Sequence, residues 1–124
     1  MKRLLVIDDE DHIREVAAVS LEMVGGWDVL TASSGAEGIA SAQAEQPDAI
    51  LLDVMMPEMD GPATLRRLRT NASTAHIPVV FLTAKVQASD HRRFAELGVT
   101  GVLAKPFDPM VLPDDVAGLL GWTP

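Results

Sequence analysis

The segment that decides the fold is residues 49–61, with the sequence Ala-Ile-Leu-Leu-Asp-Val-Met-Met-Pro-Glu-Met-Asp-Gly. It begins with a short apolar run that ends at Asp53, after which Pro57 and Gly61 indicate a loop. A short apolar run between turn residues is typical of a strand buried on both faces of a parallel sheet. Asp53 would then lie at the carboxyl end of that strand, where open α/β sheets bind ligands. Many strands also end on Asp simply because this residue favours turns.

Four further segments have the same strand-like character, and helical patterns separate them. The predicted strands are residues 3–7, 28–32, 48–53, 77–83 and 101–104. Each is followed by apolar residues at helical spacing or by a helix-capping residue. Five alternations of strand and helix predict a three-layer, doubly wound α/β sandwich with a parallel five-stranded sheet and right-handed crossovers.

Capping residues and apolar spacing predict where the helices lie. The first helix should end at Gly25-Gly26 and bury one face, formed by Ile13, Val16, Ala17, Leu21 and Val24. The predicted caps of the later helices are Ser34, with Glu37 completing a capping box, then Asp60, Ser89 and Asp108. Pro113 follows closely on Asp108, so the fifth helix should start late or be kinked.

Composition narrows the classes of function. Of the 124 residues, 48% are hydrophobic and only 4% aromatic, which predicts one domain with an aliphatic core. Ten basic and eighteen acidic residues give a net charge of −8, which argues against direct binding to nucleic acid. The chain has no cysteine, and its apolar runs are too short for a membrane span or a signal peptide. We therefore expect a soluble cytoplasmic protein.

Reactive side chains recur where the predicted strands end. Asp8 and Asp9 follow the first strand, Asp53 ends the third, Thr83 ends the fourth and Lys105 follows the fifth. In a doubly wound sheet these ends meet at one edge. Two carboxylates about 5 Å apart repel by roughly 3 kcal/mol at an effective dielectric of about 20, so a cation is expected, and oxygen ligands suit Mg²⁺ or Mn²⁺. A carboxylate nucleophile beside a metal, an ammonium and a hydroxyl predicts a phosphoryl-transfer site.

The whole chain resembles a bacterial response-regulator receiver domain of the CheY-like type. The segments that carry the resemblance are Asp8-Asp9-Glu10, residues 53–61, Thr83-Ala84 and Lys105-Pro106-Phe107, in this order. The resemblance implies a flavodoxin-like sheet with strand order 2-1-3-4-5. It also implies a two-component signalling switch, in which Asp53 accepts a phosphoryl group from a histidine kinase and partner binding changes as a result.

The resemblance further implies a metal site. Mg²⁺, or Mn²⁺ in its place, would be bound by Asp9, Asp53 and the backbone carbonyl of Met55. Asp8 would contribute through a water molecule of the metal's coordination shell.

The resemblance also implies how the signal is transmitted. Thr83 would be the switch hydroxyl and Lys105 the ammonium that binds the phosphoryl group, with a cis bond between Lys105 and Pro106. An added phosphoryl group would attract Thr83, and from this we hypothesise that the output face is the fourth helix, fifth strand and fifth helix. One position departs from the family pattern: three residues before Lys105 the family usually has Tyr or Phe, and this chain has Val102. A valine has no ring to turn inward, so the aromatic half of the switch is absent.

We expect residues 1–124 to be a single receiver domain with no output domain, and a phosphoacceptor rather than an enzyme with turnover. Its partners would be a sensor histidine kinase or phosphotransfer protein and a downstream protein target, without direct contact to nucleic acid or membrane. The domain would be a monomer or a dimer that forms on phosphorylation.

Three alternatives remain open from the sequence. The same domain could belong to a longer regulator with a DNA-binding or enzymatic output, or it could be a degenerate receiver that acts as a constitutive interaction module. A phosphohydrolase is the third alternative, but it would need a second acid two residues after its nucleophile, where this chain has Met55.

Overall fold

The computed structural model describes residues 1–84 and 88–122, apart from the side chains of residues 88, 89 and 91. The strands are β1 (Arg3–Ile7), β2 (Asp28–Ala32), β3 (Ala49–Asp53), β4 (Val79–Thr83) and β5 (Gly101–Ala104). The helices are α1 (Asp11–Met23), α2 (Gly35–Glu45), α3 (Gly61–Thr70), α4 (Ala88–Glu96) and α5 (Leu112–Leu120). These strands are all parallel and lie in the order β2-β1-β3-β4-β5, which confirms the predicted topology.

Helices cover both faces of the sheet. Every residue of β3 and β4 is buried, and successive side chains point to opposite faces because a strand has a side-chain period of two. Leu52 and Phe81 pack in a cluster with residues of α2, α3 and α4. Leu51 and Leu82 pack on the other face with residues of α1 and α5. The predicted three-layer arrangement is therefore confirmed, with the central strands buried on both faces.

The N-terminus of α2 is capped by Ser34, as predicted. Ser34 Oγ accepts a hydrogen bond of 3.1 Å from the backbone N–H of Glu37. The reciprocal bond of a capping box is shifted by one residue, because Glu37 Oε2 accepts from the hydroxyl (2.6 Å) and the N–H (3.1 Å) of Ser33. These two bonds lower the pKa of the Glu37 carboxyl group, the hydroxyl of Ser33 most of all.

Ser34→Ala should lower the free energy of unfolding by about 1 kcal/mol, because the N–H of Glu37 then loses its acceptor. Urea unfolding followed by circular dichroism measures this change. Ser41→Ala is the matched control, since Ser41 lies inside the same helix, where alanine has the higher helix propensity. Equal losses in both variants would contradict the capping role of Ser34.

The start of α3 also follows the prediction. Asp60 Oδ1 accepts a hydrogen bond of 2.9 Å from the N–H of Ala63, and Pro62 lies in the first turn. The Thr64 hydroxyl donates to the carbonyl oxygen of Asp60 at 2.8 Å. Helix α3 is therefore fixed at the end that faces the carboxyl edge of the sheet.

Some boundaries and faces differ from the prediction. Strand β3 begins at Ala49, because the N–H of Asp48 donates to the carbonyl of Arg3 before the regular ladder starts. Strand β4 begins at Val79, since Pro78 has no N–H to contribute. Val24 was predicted to face the core, but it follows the last residue of α1 and is 48% exposed. Helix α1 therefore ends before Val24, the last apolar residue of the predicted face, can pack against the sheet.

Helix α5 starts late, as one of the two predicted outcomes, at Leu112. Asp108 is not its N-cap, so that prediction was wrong. The Asp108 side chain instead accepts from the N–H of Met110 (2.9 Å), and its carbonyl accepts from the N–H groups of Val111 (3.0 Å) and Leu112 (2.9 Å). Asp108 thus closes a separate turn before the helix. The predicted cap at Ser89 concerns a side chain outside the described residues.

Candidate functional site

Four of the predicted site residues lie together at the carboxyl edge of the sheet. Asp53 and Thr83 are the last residues of β3 and β4, Asp8 follows β1 and Lys105 follows β5. Backbone pairing extends past two strand ends: the N–H of Asp8 donates to the carbonyl of Ala32 (3.1 Å), and that of Lys105 to the carbonyl of Thr83 (2.9 Å). Asp8, Asp53 and Thr83 are all buried. The sheet therefore fixes the backbone positions from which these side chains project.

The ammonium of Lys105 lies among three carboxylates. Its Nζ atom is 2.9 Å from Asp8 Oδ2, 3.1 Å from Asp53 Oδ1 and 3.4 Å from Glu10 Oε1. Burial alone would lower the pKa of Lys105, but the Asp8 and Asp53 carboxylates outweigh burial and raise it. Lys105 is therefore charged in this site at neutral pH and can bind the oxygens of an anionic group.

Asp53 is the carboxylate that the site perturbs most clearly. Burial raises its pKa to about 6, the nearby charge of Asp8 adds to this, and Lys105 acts in the opposite direction. The side chain is only 2% exposed, so the ionised form receives little stabilisation from water. A buried, partly compensated carboxylate in a cluster of titratable groups is typical of a functional site.

The arrangement of acidic groups fits a divalent cation. Asp8, Glu10 and Asp53 each place one carboxylate oxygen within 4.8 Å of the others; we call these three residues the acidic cluster. Among the described residues, the buried atoms Asp53 Oδ2 and Asp9 Oδ1 have no hydrogen-bond partner. Buried charged oxygens without partners are costly, and hard oxygen ligands are those that Mg²⁺ and Mn²⁺ prefer. The residues present therefore fit the cation predicted from the sequence.

Two predicted metal ligands, Asp9 and Met55, are not members of the acidic cluster. Asp9 does not belong to the acidic cluster of the described residues, although its buried Oδ1 atom lacks a partner. The N–H of Met55 is 3.4 Å from Asp53 Oδ1, while the Met55 side chain is 61% exposed. Met55 therefore contacts Asp53 through its backbone.

The loop after Asp53 returns close to the end of β3. The N–H of Gly61 donates to the carbonyl of Val54 at 2.9 Å. A Cβ atom at Gly61 would lie 2.7 Å from the carbonyl oxygen of Asp53 and 2.8 Å from the Cα of Val54. Glycine is thus required because two backbone segments meet here, and this contact holds the N-terminus of α3 against the residue that carries the candidate nucleophile.

Two side chains at the site were not predicted from the sequence. Glu10 contacts Lys105, and its N–H donates to Asp8 Oδ1 at 2.9 Å. Arg14 Nη1 donates to the carbonyl of Asp8 at 2.8 Å, and its other terminal nitrogen pairs with Asp11. The sequence pointed to Asp8 and Asp9 as site residues, whereas Glu10 and Asp11 were interpreted only as acids at a helix start. Arg14 lies one turn into α1, and this spacing was the available indication that its guanidinium would contact the preceding acidic residues.

The structure also bears on the switch residues. The peptide bond between Lys105 and Pro106 is cis, which confirms that prediction. Val102 pairs with Phe81 across β4 and β5 and packs, half-buried, against the core cluster of which Phe81 is a part. The position at which this chain departs from the resembled pattern is therefore a packed aliphatic one.

Comparison with known proteins agrees with this architecture. The curated relatives include the DNA-binding dual master transcriptional regulator RpaA of Synechocystis, 44% identical over 108 residues that cover 87% of this chain and 44% of that protein. They also include the alkaline phosphatase synthesis transcriptional regulatory protein PhoP of Bacillus subtilis, 39% identical over 119 residues that cover 96% of this chain and 48% of that protein. The chain thus spans about half the length of these relatives. The chemotaxis protein CheY4 of Vibrio cholerae has a similar structure, with a TM-score of 0.89 and 31% identity over 96% of this chain and 98% of that one.

The doubly wound parallel sheet defines a flavodoxin-like α/β domain, whose carboxyl edge carries carboxylates and a lysine. Residues 4–117 match the family described as the response regulator receiver domain, and this chain belongs to that family. It therefore carries a phosphorylation-dependent switch of two-component signalling. Within the described residues, none of the helices combines the length and hydrophobicity that crossing a bilayer requires.

Proposed function

We propose that Asp53 is the phosphoacceptor of this switch and receives its phosphoryl group from a phosphohistidine on a sensor histidine kinase or phosphotransfer protein. The observation that supports this best is the environment of Asp53. One of its oxygens lies 3.1 Å from Lys105 Nζ, and the other is buried without a hydrogen-bond partner among the described residues. The carboxylate is thus placed to react at one oxygen while a cation neutralises charge beside it.

The transfer follows from the chemistry of a carboxylate nucleophile. An oxygen of Asp53 forms a bond to phosphorus as the P–N bond of the phosphohistidine breaks, and the departing imidazole nitrogen keeps the electron pair and takes up a proton. With a pKa of about 6, Asp53 is mainly ionised at pH 7 and can act as the nucleophile. Lys105 compensates negative charge on the transferred group, and Thr83, at the end of β4, offers a hydroxyl to it.

We propose that a divalent cation, Mg²⁺ or Mn²⁺, is bound by Asp9, Asp53 and the Met55 carbonyl, with Asp8 contributing through a water molecule. The partnerless buried oxygens of Asp9 and Asp53 support this assignment. When bound, the cation supplies positive charge next to the transferring oxygens. Asp53 and Lys105 are the groups of this chain that orient and neutralise the phosphoryl group.

We propose that phosphorylation is transmitted through Thr83 to an output face formed by α4, β5 and α5. Phosphorylation adds up to two negative charges and three acceptor oxygens, which attract the Thr83 hydroxyl from a fully buried position. Because β4 pairs directly with β5, a shift at Thr83 changes the packing of the neighbouring strand. At Val102 this change concerns aliphatic packing, without the turning of an aromatic ring.

The proposal extends to the setting of the switch. Residues 1–124 act as one receiver domain in the cytoplasm, as a phosphoacceptor that assists its own phosphorylation and dephosphorylation without turnover of other substrates. The output is a protein target, and the domain is a monomer or a dimer formed on phosphorylation. A second candidate is the receiver half of a longer DNA-binding regulator, which is favoured because the chain covers only 44% and 48% of two relatives named as transcriptional regulators.

The experiment that tests the proposal is intact-protein mass spectrometry after incubation with acetyl phosphate and Mg²⁺. We expect one phosphoryl adduct, which EDTA prevents and which Asp53→Asn abolishes. Glu15→Gln is the control variant, because Glu15 is an exposed carboxylate in the middle of α1, and it should be modified like the wild type.

An adduct that persists in Asp53→Asn would place the acceptor elsewhere. Absence of an adduct together with absence of Mg²⁺ binding by calorimetry would leave the constitutive interaction module as the better description.

A further inference from the structure

The carboxylates around Lys105 differ sharply in their exposure. The side chains of Asp8 and Asp53 are 1% and 2% exposed, whereas that of Glu10 is 61% exposed. Glu10 is nevertheless held in place, because its N–H donates to Asp8 Oδ1 and it occupies the N-cap position of α1. Glu10 therefore forms the solvent-facing rim of the acidic cluster.

We propose that Glu10 is a specificity-determining residue, which competes with incoming phosphoryl oxygens for Lys105 and discriminates against small anionic phosphodonors. This inference rests on the proposed function of Asp53. In the unphosphorylated domain, Lys105 Nζ contacts Glu10 Oε1 at 3.4 Å. A phosphoryl group on Asp53 would need that ammonium, so the Glu10 contact must be exchanged for it.

The charge of Glu10 acts before the reaction as well as during it. Its oxygen lies within 4.8 Å of an oxygen on each of the two buried carboxylates, so its exposed negative charge adds to theirs for an approaching anion, with or without a bound cation. Charge around a site changes the rate at which charged ligands arrive. A small donor such as acetyl phosphate brings only its own negative charge, whereas a protein donor can place a cation against Glu10.

The test compares Glu10→Gln with Glu15→Gln, which removes an equivalent exposed charge elsewhere on α1. Rates of phosphorylation by acetyl phosphate are measured by intact mass at saturating Mg²⁺, in low and in high salt. We expect Glu10→Gln to react about three to ten times faster than the wild type in low salt, and this advantage to shrink in high salt because exposed charges are screened. Glu15→Gln should stay close to the wild type.

A second donor separates electrostatics from a structural effect. Phosphoramidate carries less negative charge than acetyl phosphate at neutral pH, so the gain for Glu10→Gln should be smaller with it. A gain that is the same for both donors and in all salt concentrations would show a structural effect and overturn the inference.

The remaining outcomes are also decisive. Equal rates for the wild type and Glu10→Gln overturn the inference while leaving the proposed function intact. A slower Glu10→Gln at the Mg²⁺ concentration that saturates the wild type also overturns it, and recovery of its rate at higher Mg²⁺ would show that Glu10 is a metal ligand. No adduct in the wild type or either variant, together with no Mg²⁺ binding by calorimetry, would refute the proposed function, and the inference with it.

Discussion

In metal-free buffer at pH 7, Asp53→Asn is expected to unfold at a higher denaturant concentration than the wild type, by about 1–3 kcal/mol in free energy of unfolding. The reason is that the folded protein raises the pKa of Asp53 from 3.8 to about 6 through burial and the charge of Asp8. The ionised side chain therefore destabilises the fold, and asparagine removes that charge while retaining a similar shape.

The pH dependence has a defined sign. Between pH 3.8 and about 6 the folded state binds more protons at Asp53 than the unfolded state does, so the wild type loses stability as the pH rises through this window. Below it, Asp53 is neutral in both states and the advantage of Asp53→Asn should vanish. Urea unfolding at about pH 3.5, 5 and 7 measures the trend.

Controls separate this effect from a general loss of surface charge. Glu15→Gln removes an exposed carboxylate and should change the free energy of unfolding by less than about 0.5 kcal/mol. Saturating Mg²⁺ should stabilise the wild type more than Asp53→Asn, because a ligand stabilises only the state that binds it. An Asp53→Asn variant that is less stable than the wild type at pH 7 without metal would contradict the electrostatic picture of the site.

The topology and the residues at the strand ends could be predicted from the sequence because both depend on local patterns. Apolar runs and caps define strands and helices, and parallel strands bring their carboxyl ends to one edge. The convergence of Asp8, Asp53, Thr83 and Lys105 follows from this rule. It holds even though Lys105 is far along the chain from the acids that it contacts.

Features that depend on side-chain reach or on neighbouring elements could not be predicted in the same way. Val24 has the helical spacing of a core residue, but the sequence pattern does not show that α1 ends before the Val24 side chain can contact the sheet. Asp108 is a residue type that often caps helices, yet Pro109 and Pro113 permit a separate turn before α5. Glu10 resembles any other acid at a helix start until the fold places Lys105 beside it.

Long-range contacts between aromatic residues belong to the same category. Trp27 and Trp122 pack edge to face with ring centroids 5.4 Å apart, and Lys2 lies 5.3 Å from the Trp122 ring centre. The two tryptophans are distant in sequence and have no periodic relation to each other. Their contact joins the chain after α5 to the start of β2, an arrangement that only the assembled sheet produces.

The loop after Asp53 leads to the second large expected effect, which is the loss caused by Gly61→Ala. We expect the variant to lose about 2–3 kcal/mol of unfolding free energy, as overpacked sites do. The added Cβ would stand 2.7 Å from the carbonyl oxygen of Asp53 and 2.8 Å from the Cα of Val54. Both are backbone atoms of a buried segment, so they cannot move aside as a flexible side chain could.

The same substitution should slow phosphorylation, because the atoms that must shift belong to Asp53, the proposed nucleophile, and to the residue that follows it. Small misplacements of reacting groups reduce rates strongly, and we expect the acetyl phosphate reaction to slow by at least about tenfold. Gly118→Ala is the matched control: nothing lies within 4 Å of its added Cβ, and it is inside α5, where alanine stabilises a helix by up to about 1 kcal/mol. If Gly61→Ala matched Gly118→Ala in both unfolding and reaction rate, the loop could not be what holds Asp53 in position. If it unfolded early but reacted normally, the close approach would serve the fold alone.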